Sequence, residues 1–333
     1  MTTTTPASTA FELGSEDALR GYRAMVLSRR LEAKGWDLVR QNKVNFANNS
    51  AGHEAVSAGM GLAMAAGRDH LAPHYREVPC LLLLGVEPFT LLSTLYGRAT
   101  GISHGRQPFG YWGSATHKVL SASGPQPAHL PHGIGAAWAA KRLGVDEVAW
   151  VSFGDGGASR GEFHEGLNIA AIHKLPVVFV CHNNGYTQSV PQRLESAQPD
   201  IALHAAGYGI PGRTVDGMDL FQVYGATAEA RARAQAGEGP TLIEAKTYRF
   251  FANTSNDDDR RYRSREEVAE ARKRDPIPLL AARLLEAGIA DQGALEAIEQ
   301  EAERRVAEAA AAAADAPDPD PAEAFRHTYA GEA

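Results

Sequence analysis

Apolar positions along this chain recur in two periods. Residues 148–153 and 177–181 are nearly continuous apolar runs of strand length. Between them lie a Gly-rich turn and a segment where apolar and small residues return at helical spacing. Strand, helix, strand in that order is one βαβ unit, whose strands lie parallel. The same reading gives a helix from 15 to about 42, capped by Ser15, with Leu19, Tyr22, Met25 and Val26 at helical spacing. Small-residue helices follow over 52–66 and 130–141, and a short strand followed by helices over 70–97. Thr214-Val215 and 241–245 are further strands, joined by a helix from about 220 to 236. Residues 98–127 and 185–212 are Gly- and Pro-rich connections, and a loop as long as the first commonly serves a function. A charged loop, 247–263, runs into Ser264-Arg265-Glu266-Glu267, the pattern of a capping box. The last long helix, 292–314, has only a thin apolar stripe (Leu295, Ile298, Ala302, Val306), which suits the surface or a partner. Pro317, Pro319 and Pro321 end it. The organisation expected is a disordered tail over 1–14, one α/β domain over 15–315 and a C-terminal tail over 316–333.

The chemistry gathers at the ends of the βαβ strands. Gly154-Asp155-Gly156 follows the first strand and, 26 residues later, Asn183-Asn184 follows the second. Ligands of parallel α/β sheets bind at such strand ends. Asp155 brings a carboxylate and Asn184 an amide oxygen, hard ligands suited to Mg²⁺ or Ca²⁺. Gly154, Gly156 and Gly157 let backbone N–H groups come close to an anion, and the helix that follows adds positive potential. A diphosphate bridged by a divalent cation satisfies all of these. A dinucleotide site fits less well: the third glycine of G-x-G-x-x-G is missing, and the second strand ends in His182-Asn183-Asn184 without an acid for a ribose. The GDG–NN pattern resembles the thiamine diphosphate (TPP) signature of the transketolase and 2-oxo acid dehydrogenase families.

Composition narrows the setting. The chain has 333 residues, is 44% hydrophobic and carries a formal charge of −7, which argues against nucleic acid as a partner. Its two cysteines, Cys80 and Cys181, have neither metal-ligand nor redox spacing, and a reduced, cytoplasmic setting is expected. No apolar run approaches a membrane span, and the Thr/Ser-rich start, whose first basic residue is Arg20, matches neither a signal nor a transit peptide.

Seven segments occurring in this order carry a wider resemblance: HYRE at 74–77, GRQ at 105–107, LPHGIGAAWAAKR at 130–142, GDGGASRGEFHEGLNIAA at 154–171, HNNGYTQS at 182–189, GYGIPGRTVDGMD at 207–219 and TLIEAKTYR at 241–249. Together they resemble the alpha subunit of the first, decarboxylating component of 2-oxo acid dehydrogenase complexes, the branched-chain type above all. The resemblance implies a TPP-binding fold with a central parallel sheet flanked by helices. It implies TPP and Mg²⁺ as cofactors, the metal held by Asp155, the amide oxygen of Asn184 and the backbone carbonyl of Tyr186. Gly154, Gly156 and Gly157 would lie along the diphosphate, with Tyr75, Arg76 and His182 beside it. For Arg76 the alternative is a surface ion pair with Glu77. The implied partners are a beta subunit, in a tetramer of two alpha and two beta chains, and a lipoyl acyltransferase that accepts the acyl group. The beta subunit would supply the glutamate that activates the aminopyrimidine, leaving this chain inactive alone.

Three positions depart from the family pattern. Asn253 stands where the family places a histidine before an acidic run, and an amide cannot shuttle protons. His129 is then the first candidate to do that work. Within 121–129, Ser121 and Ser123 remain of a cation-binding set, while Pro127, Ala128 and His129 replace much of the rest. His182 replaces an arginine common in branched-chain relatives. Alternatives to the branched-chain reading are a pyruvate or acetoin type and a non-catalytic assembly paralogue.

Overall fold

The computed structural model describes residues 12–326. The N-terminal tail expected over 1–14 falls mostly outside that range, as do residues 327–333 of the C-terminal one. In chain order the elements are α1 (Ser15–Arg40), α2 (Glu54–Ala63), β1 (His70–Ala72), α3 (Val78–Leu83), α4 (Pro88–Leu95), α5 (Leu130–Leu143), β2 (Ala149–Gly154) and α6 (Gly161–Ile172). They continue as β3 (Val177–Asn183), β4 (Tyr186–Thr187), β5 (Val190–Pro191), β6 (Gly212–Asp216), α7 (Leu220–Gln235), β7 (Thr241–Lys246), α8 (Arg265–Arg272), α9 (Pro276–Glu286) and α10 (Gln292–Ala314).

Five strands form one parallel sheet in the order β1-β2-β3-β7-β6. Both faces are covered, which is why the central strands read as unbroken apolar runs. Successive side chains point to opposite sides. Trp150, Val178, Val180 and Ile243 join the core shared with α1, α2, α7, α9 and α10. Val151, Phe153, Val177, Phe179 and Cys181 join the core under α5 and α6. The α/β fold with a central parallel sheet flanked by helices is thus the fold of the chain.

Several element ends differ from the sequence reading. Gly14, not Ser15, occupies the cap of α1, and no side chain caps it. The helix expected from 52 starts at Glu54, because Gly52 takes φ +93°, where a side chain is strained and a Cβ would strike the Tyr248 carbonyl. The sequence reading missed α9, a helix with Asp275 as cap and Pro276 at its first position, and the small β4-β5 hairpin. The thin stripe of α10 packs on α1 and α4 of this same chain. The residues after it turn back: Ala99 N–H donates to the Pro317 carbonyl at 3.0 Å, and Arg98 pairs with Asp318. Among the described residues no helix is long and apolar enough to cross a membrane.

The capping box forms only in part. Ser264 Oγ accepts the Glu267 N–H at 3.0 Å. The Glu267 carboxylate does not return to the cap. It accepts the hydroxyls of Tyr186 and Tyr248, each at 2.7 Å, and so ties α8 to the hairpin beside the sheet edge.

Candidate active site

β2 and β3 end level. Their register pairs Gly154 with His182, so Asp155 and Asn183-Asn184 leave the sheet side by side. Asp155 opens a single 3-10 turn leading into α6. A Cβ on Gly156 would collide with the Thr187 side chain, so glycine here lets β4 close over the turn. Gly185, at φ +79°, makes the tight turn between Asn184 and Tyr186.

The two asparagines do different work. Asn183 donates to Glu244 at 2.6 Å and Gln192 at 3.0 Å, and its Oδ1 accepts the Gly185 N–H at 3.0 Å, so it is spent on shaping the turn. Asn184 Oδ1 accepts the Tyr186 N–H at 3.1 Å and keeps a second lone pair. Beside it Asp155 is buried and its Oδ2 has no hydrogen-bond partner. Burial pushes the Asp155 carboxyl up to about 7; its own N–H and that of Gly156 act the other way, as does the charge of Arg249. Thr187 Oγ1 is also buried without a partner. An orphaned carboxylate oxygen beside an amide oxygen fits a hard divalent cation.

Opposite this acid stand two buried guanidiniums. Arg76 is fully buried and pairs with no carboxylate: its Nη1 donates to the Asn49 carbonyl, and its Nη2 donates to both the carbonyl and the Oδ1 of Asn253 at 3.0 Å. The surface ion pair with Glu77 therefore does not form. Arg249 donates from Nη1 to the same Asn253 Oδ1 at 3.0 Å, and from Nη2 to the Gln188 carbonyl at 3.0 Å and Tyr262 Oη at 2.8 Å. Burial, then the charge of Arg76, lowers the Arg249 pKa. Tyr75 completes the group, with its hydroxyl 3.5 Å from Asn253 Oδ1 and its ring under the Arg76 guanidinium at 4.8 Å. Asp257 accepts the Asn253 N–H at 2.9 Å and the Tyr262 hydroxyl at 2.5 Å, and so anchors the loop without pairing with either arginine. Two buried positive charges that share one neutral oxygen and pair with no carboxylate fit an anion. The glycine turn and Arg249 link it to Asp155 through Gln188 and Thr187.

Buried histidines form the floor. His53, His74 and His182 lie face to face, with ring centroids 5.4–6.5 Å apart. Burial, with the charges of Arg76 and His182, holds His53 and His74 well below the usual range. Both ring nitrogens of His182 face protein: Nδ1 is 3.3 Å from His53 Nδ1, and Nε2 is 2.8 Å from Glu77 Oε1, at ion-pair distance but off the hydrogen-bond axis. His182 is fully buried with both ring nitrogens turned to protein groups, and its ring makes no hydrogen bond to the glycine turn among the described residues. Burial raises the Glu77 carboxyl, but His182 and the hydroxyls of Ser57 and Ser152 outweigh it, leaving a net lowering. His129 donates from Nε2 to the Ser152 carbonyl at 2.8 Å, its Nδ1 is buried and unpaired, and burial lowers it to about 4. No hydrogen bond among the described residues joins His129 to Asn253. In the 121–129 segment, Ser123 Oγ donates to the Pro125 carbonyl at 3.1 Å and the Gln126 amide to the Ser123 carbonyl at 2.6 Å, so the loop is held by its own groups.

Residues 22–322 match the family model described as the dehydrogenase E1 component. The chain belongs to that family. It is 41% identical over 281 residues to the 2-oxoisovalerate dehydrogenase subunit alpha of Bacillus subtilis, covering 84% of this chain and 85% of that one. The 3-methyl-2-oxobutanoate dehydrogenase subunit alpha of Mycobacterium tuberculosis is 40% identical over 279 residues, covering 83% and 73%. The pyruvate dehydrogenase E1 component subunit alpha of Zymomonas mobilis is 36% identical over 307 residues, covering 92% and 86%. The chain is an enzyme subunit of a thiamine-diphosphate-dependent family, and an alpha subunit works with a beta subunit.

In this E1 chain the sequence-predicted residues Gly154, Asp155, Gly156, Gly157, Asn184 and Tyr186 lie on one strand-end turn and its neighbour. Tyr75, Arg76 and Asn253 form a second group. Sequence reasoning missed Arg249, Glu77 and His53. Arg249 lies at the start of the charged loop, and an arginine leaving a buried strand beside two phenylalanines was the available signal.

Two predictions follow from the charges. Because the folded Asp155 carboxyl is raised above the ordinary aspartate range, folding favours its protonated form. That contribution is present below about pH 4 and is lost as pH rises to about 7, on the order of 4 kcal/mol. Thermal melts of metal-free protein should therefore fall more steeply over pH 4–7 for wild type than for Asp155→Asn. Glu32, raised by burial to about 8, has the same sign in both proteins and cancels from the comparison. Parallel curves would contradict the assignment. Asn253→Asp should place a carboxylate between the two guanidiniums and weaken TPP binding at least about tenfold, about 1.4 kcal/mol. Calorimetry on the assembled enzyme checks this, and unchanged affinity would show that the arginine pair is not the diphosphate site.

Proposed function

We propose that this chain is the alpha subunit of a branched-chain 2-oxo acid dehydrogenase, acting on 2-oxoisovalerate-type acids by oxidative decarboxylation. The observation that carries the reading is the pairing of an orphaned carboxylate with two unneutralised guanidiniums across one glycine turn. A metal–diphosphate headgroup is opposite in charge to each. Asp155, Asn184 Oδ1 and the Tyr186 carbonyl would hold Mg²⁺. Arg76, Tyr75 and the N–H groups of the glycine turn would hold the diphosphate, with Arg249 beside them. When bound, the cofactor supplies the electron sink for decarboxylation. The chain's own residues bind and orient it and exclude water. Asn253 keeps the guanidiniums in place through Oδ1, and its amide offers no proton at neutral pH. The relatives acting on 2-oxoisovalerate and 3-methyl-2-oxobutanoate support the branched-chain substrate.

The partners follow the same reading: a beta subunit in a tetramer of two alpha and two beta chains, and a lipoyl acyltransferase that receives the acyl group. A face of α5 and α6 is apolar and open, with Leu143 75% and Ile172 65% exposed beside Trp138 and Ile169. The Trp138 ring packs on His173 at 4.4 Å, so the two helices present these side chains together. Such a patch suits a permanent subunit interface. The test is co-expression with a beta subunit. The assembled pair should decarboxylate 2-oxoisovalerate with a kcat/KM at least about tenfold above that for pyruvate, with an artificial electron acceptor. The isolated chain should show no turnover. A pyruvate preference would move the assignment to the pyruvate type, and turnover by a beta-free preparation would overturn the shared-site reading.

A further inference from the structure

A carboxylate inside a buried strand is costly, and a chain keeps one only where it is fully paired. β7 carries such a group: Glu244 is fully buried between Ile243 and Ala245, both of them core residues. We infer that Glu244 is a positioning residue for the cation, acting through Asn183 on the turn that carries Asn184 and Tyr186. This role rests on the metal-and-diphosphate reading of the site and extends it to the neighbouring strand.

Four donors converge on this carboxylate. Oε1 accepts from Asn183 Nδ2 and from the Lys246 ammonium, each at 2.6 Å. Oε2 accepts the Ala202 N–H at 2.9 Å and the Thr214 hydroxyl at 3.3 Å. The register explains the meeting. β3 and β7 run parallel, with Cys181 beside Glu244 and Asn183 beside Lys246, so 183 and 244 are diagonal neighbours on one face of the sheet. Lys246 also pairs with Asp200 at 3.1 Å, so the same carboxylate gathers both ends of the connection that follows β3.

A carboxylate only accepts, so the nitrogen of Asn183 faces Glu244 and its Oδ1 is left for the Gly185 N–H at 3.0 Å. The Gly185 carbonyl in turn accepts the Gln192 N–H at 2.9 Å. Gly185 stands between Asn184 and Tyr186, whose amide oxygen and backbone carbonyl are the proposed metal ligands. A shift of the Asn183 side chain therefore moves both. Asn183 Nδ2 has a second acceptor, Gln192 Oε1 at 3.0 Å, but Gln192 lies on the loop being held, whereas Glu244 lies in the sheet. Glu244 thus ties the ligand-bearing turn to the rigid part of the fold. Outer groups that orient metal ligands commonly change metal affinity about ten- to hundredfold when removed.

The experiment measures Mn²⁺ affinity by calorimetry on the assembled alpha–beta protein with saturating TPP, with thermal melts alongside. Glu244→Met keeps the length of the side chain and removes both acceptors; it should weaken Mn²⁺ about ten- to hundredfold. Glu244→Gln loses the same charge but keeps one oxygen. That oxygen belongs opposite Asn183 Nδ2 and Lys246 Nζ, which only donate, while the new nitrogen meets the Thr214 hydroxyl, which can accept, and the Ala202 N–H, which cannot. Glu244→Gln should therefore bind Mn²⁺ within about threefold of wild type while melting lower, a separation of affinity from stability that a purely structural role would not give. Wild-type affinity in Glu244→Met, or Glu244→Gln as weak as Glu244→Met, would overturn the role. If Glu244→Met does not assemble, Asn183→Ala decides: a loss of about tenfold or more supports the role, and a smaller one overturns it. Absence of Mn²⁺ binding in wild type would instead sink the reading of the site, and the role of Glu244 with it.

Discussion

Opposite charges kept apart without partners are the constraint on which this structure turns. On one side is the Asp155 carboxylate, buried with an unpaired oxygen. On the other are Arg76 and Arg249, both buried and both leaning on the neutral Asn253 oxygen. Uncompensated buried charge costs several kcal/mol per ion, so a chain keeps it only where something arrives to neutralise it. In the function proposed above, a divalent cation would answer the carboxylate and a diphosphate the guanidiniums. Because the two ligands bind each other, neither protein group could be replaced by a closer internal ion pair without losing the site.

The fold serves that separation. The parallel register of β2 and β3 brings Asp155 level with Asn184, and it depends on alternate side chains filling two cores, one on each face of the sheet. A slip of one residue would send Phe153 and Phe179 into the wrong core and separate Asp155 from Asn184. Loop 247–263 is held in place by arginines: Arg263 donates to the Phe251 carbonyl at 2.6 Å and pairs with Asp259, while Glu267 grips the tyrosines on either side. The loop's charges are therefore internal struts that set where Arg249 and Asn253 stand.

Much of this was legible in the sequence, and the reasons differ by element. The βαβ unit was readable because continuous apolar runs over 148–153 and 177–181 have few alternatives to buried parallel strands. α10 was placed at its observed ends by its apolar stripe and the prolines after it. α9 was missed because its apolar face follows directly on the charged α8, with only a short turn between them. At the site, Asp155 and Asn184 were found through the spacing of the two strand ends, and Tyr75 and Arg76 through the family resemblance. The contacts of His53 and Glu77 with His182 and Asn184 were not, since positions 53, 77, 182 and 184 come together only by tertiary packing. The same holds for the Glu267 carboxylate: local sequence predicts a capping role, and two tyrosines distant in sequence take it instead.

The central claim is that Asp155 exists to hold a cation which in turn holds the diphosphate. The direct measurement is calorimetric titration of Mg²⁺ and TPP into the assembled protein, wild type against Asp155→Ala, with thermal melts of both. The account predicts that Asp155→Ala assembles and, without ligand at neutral pH, melts no lower than wild type, while its TPP affinity falls more than about a hundredfold, about 2.7 kcal/mol. Undiminished TPP affinity in a folded Asp155→Ala protein would contradict it.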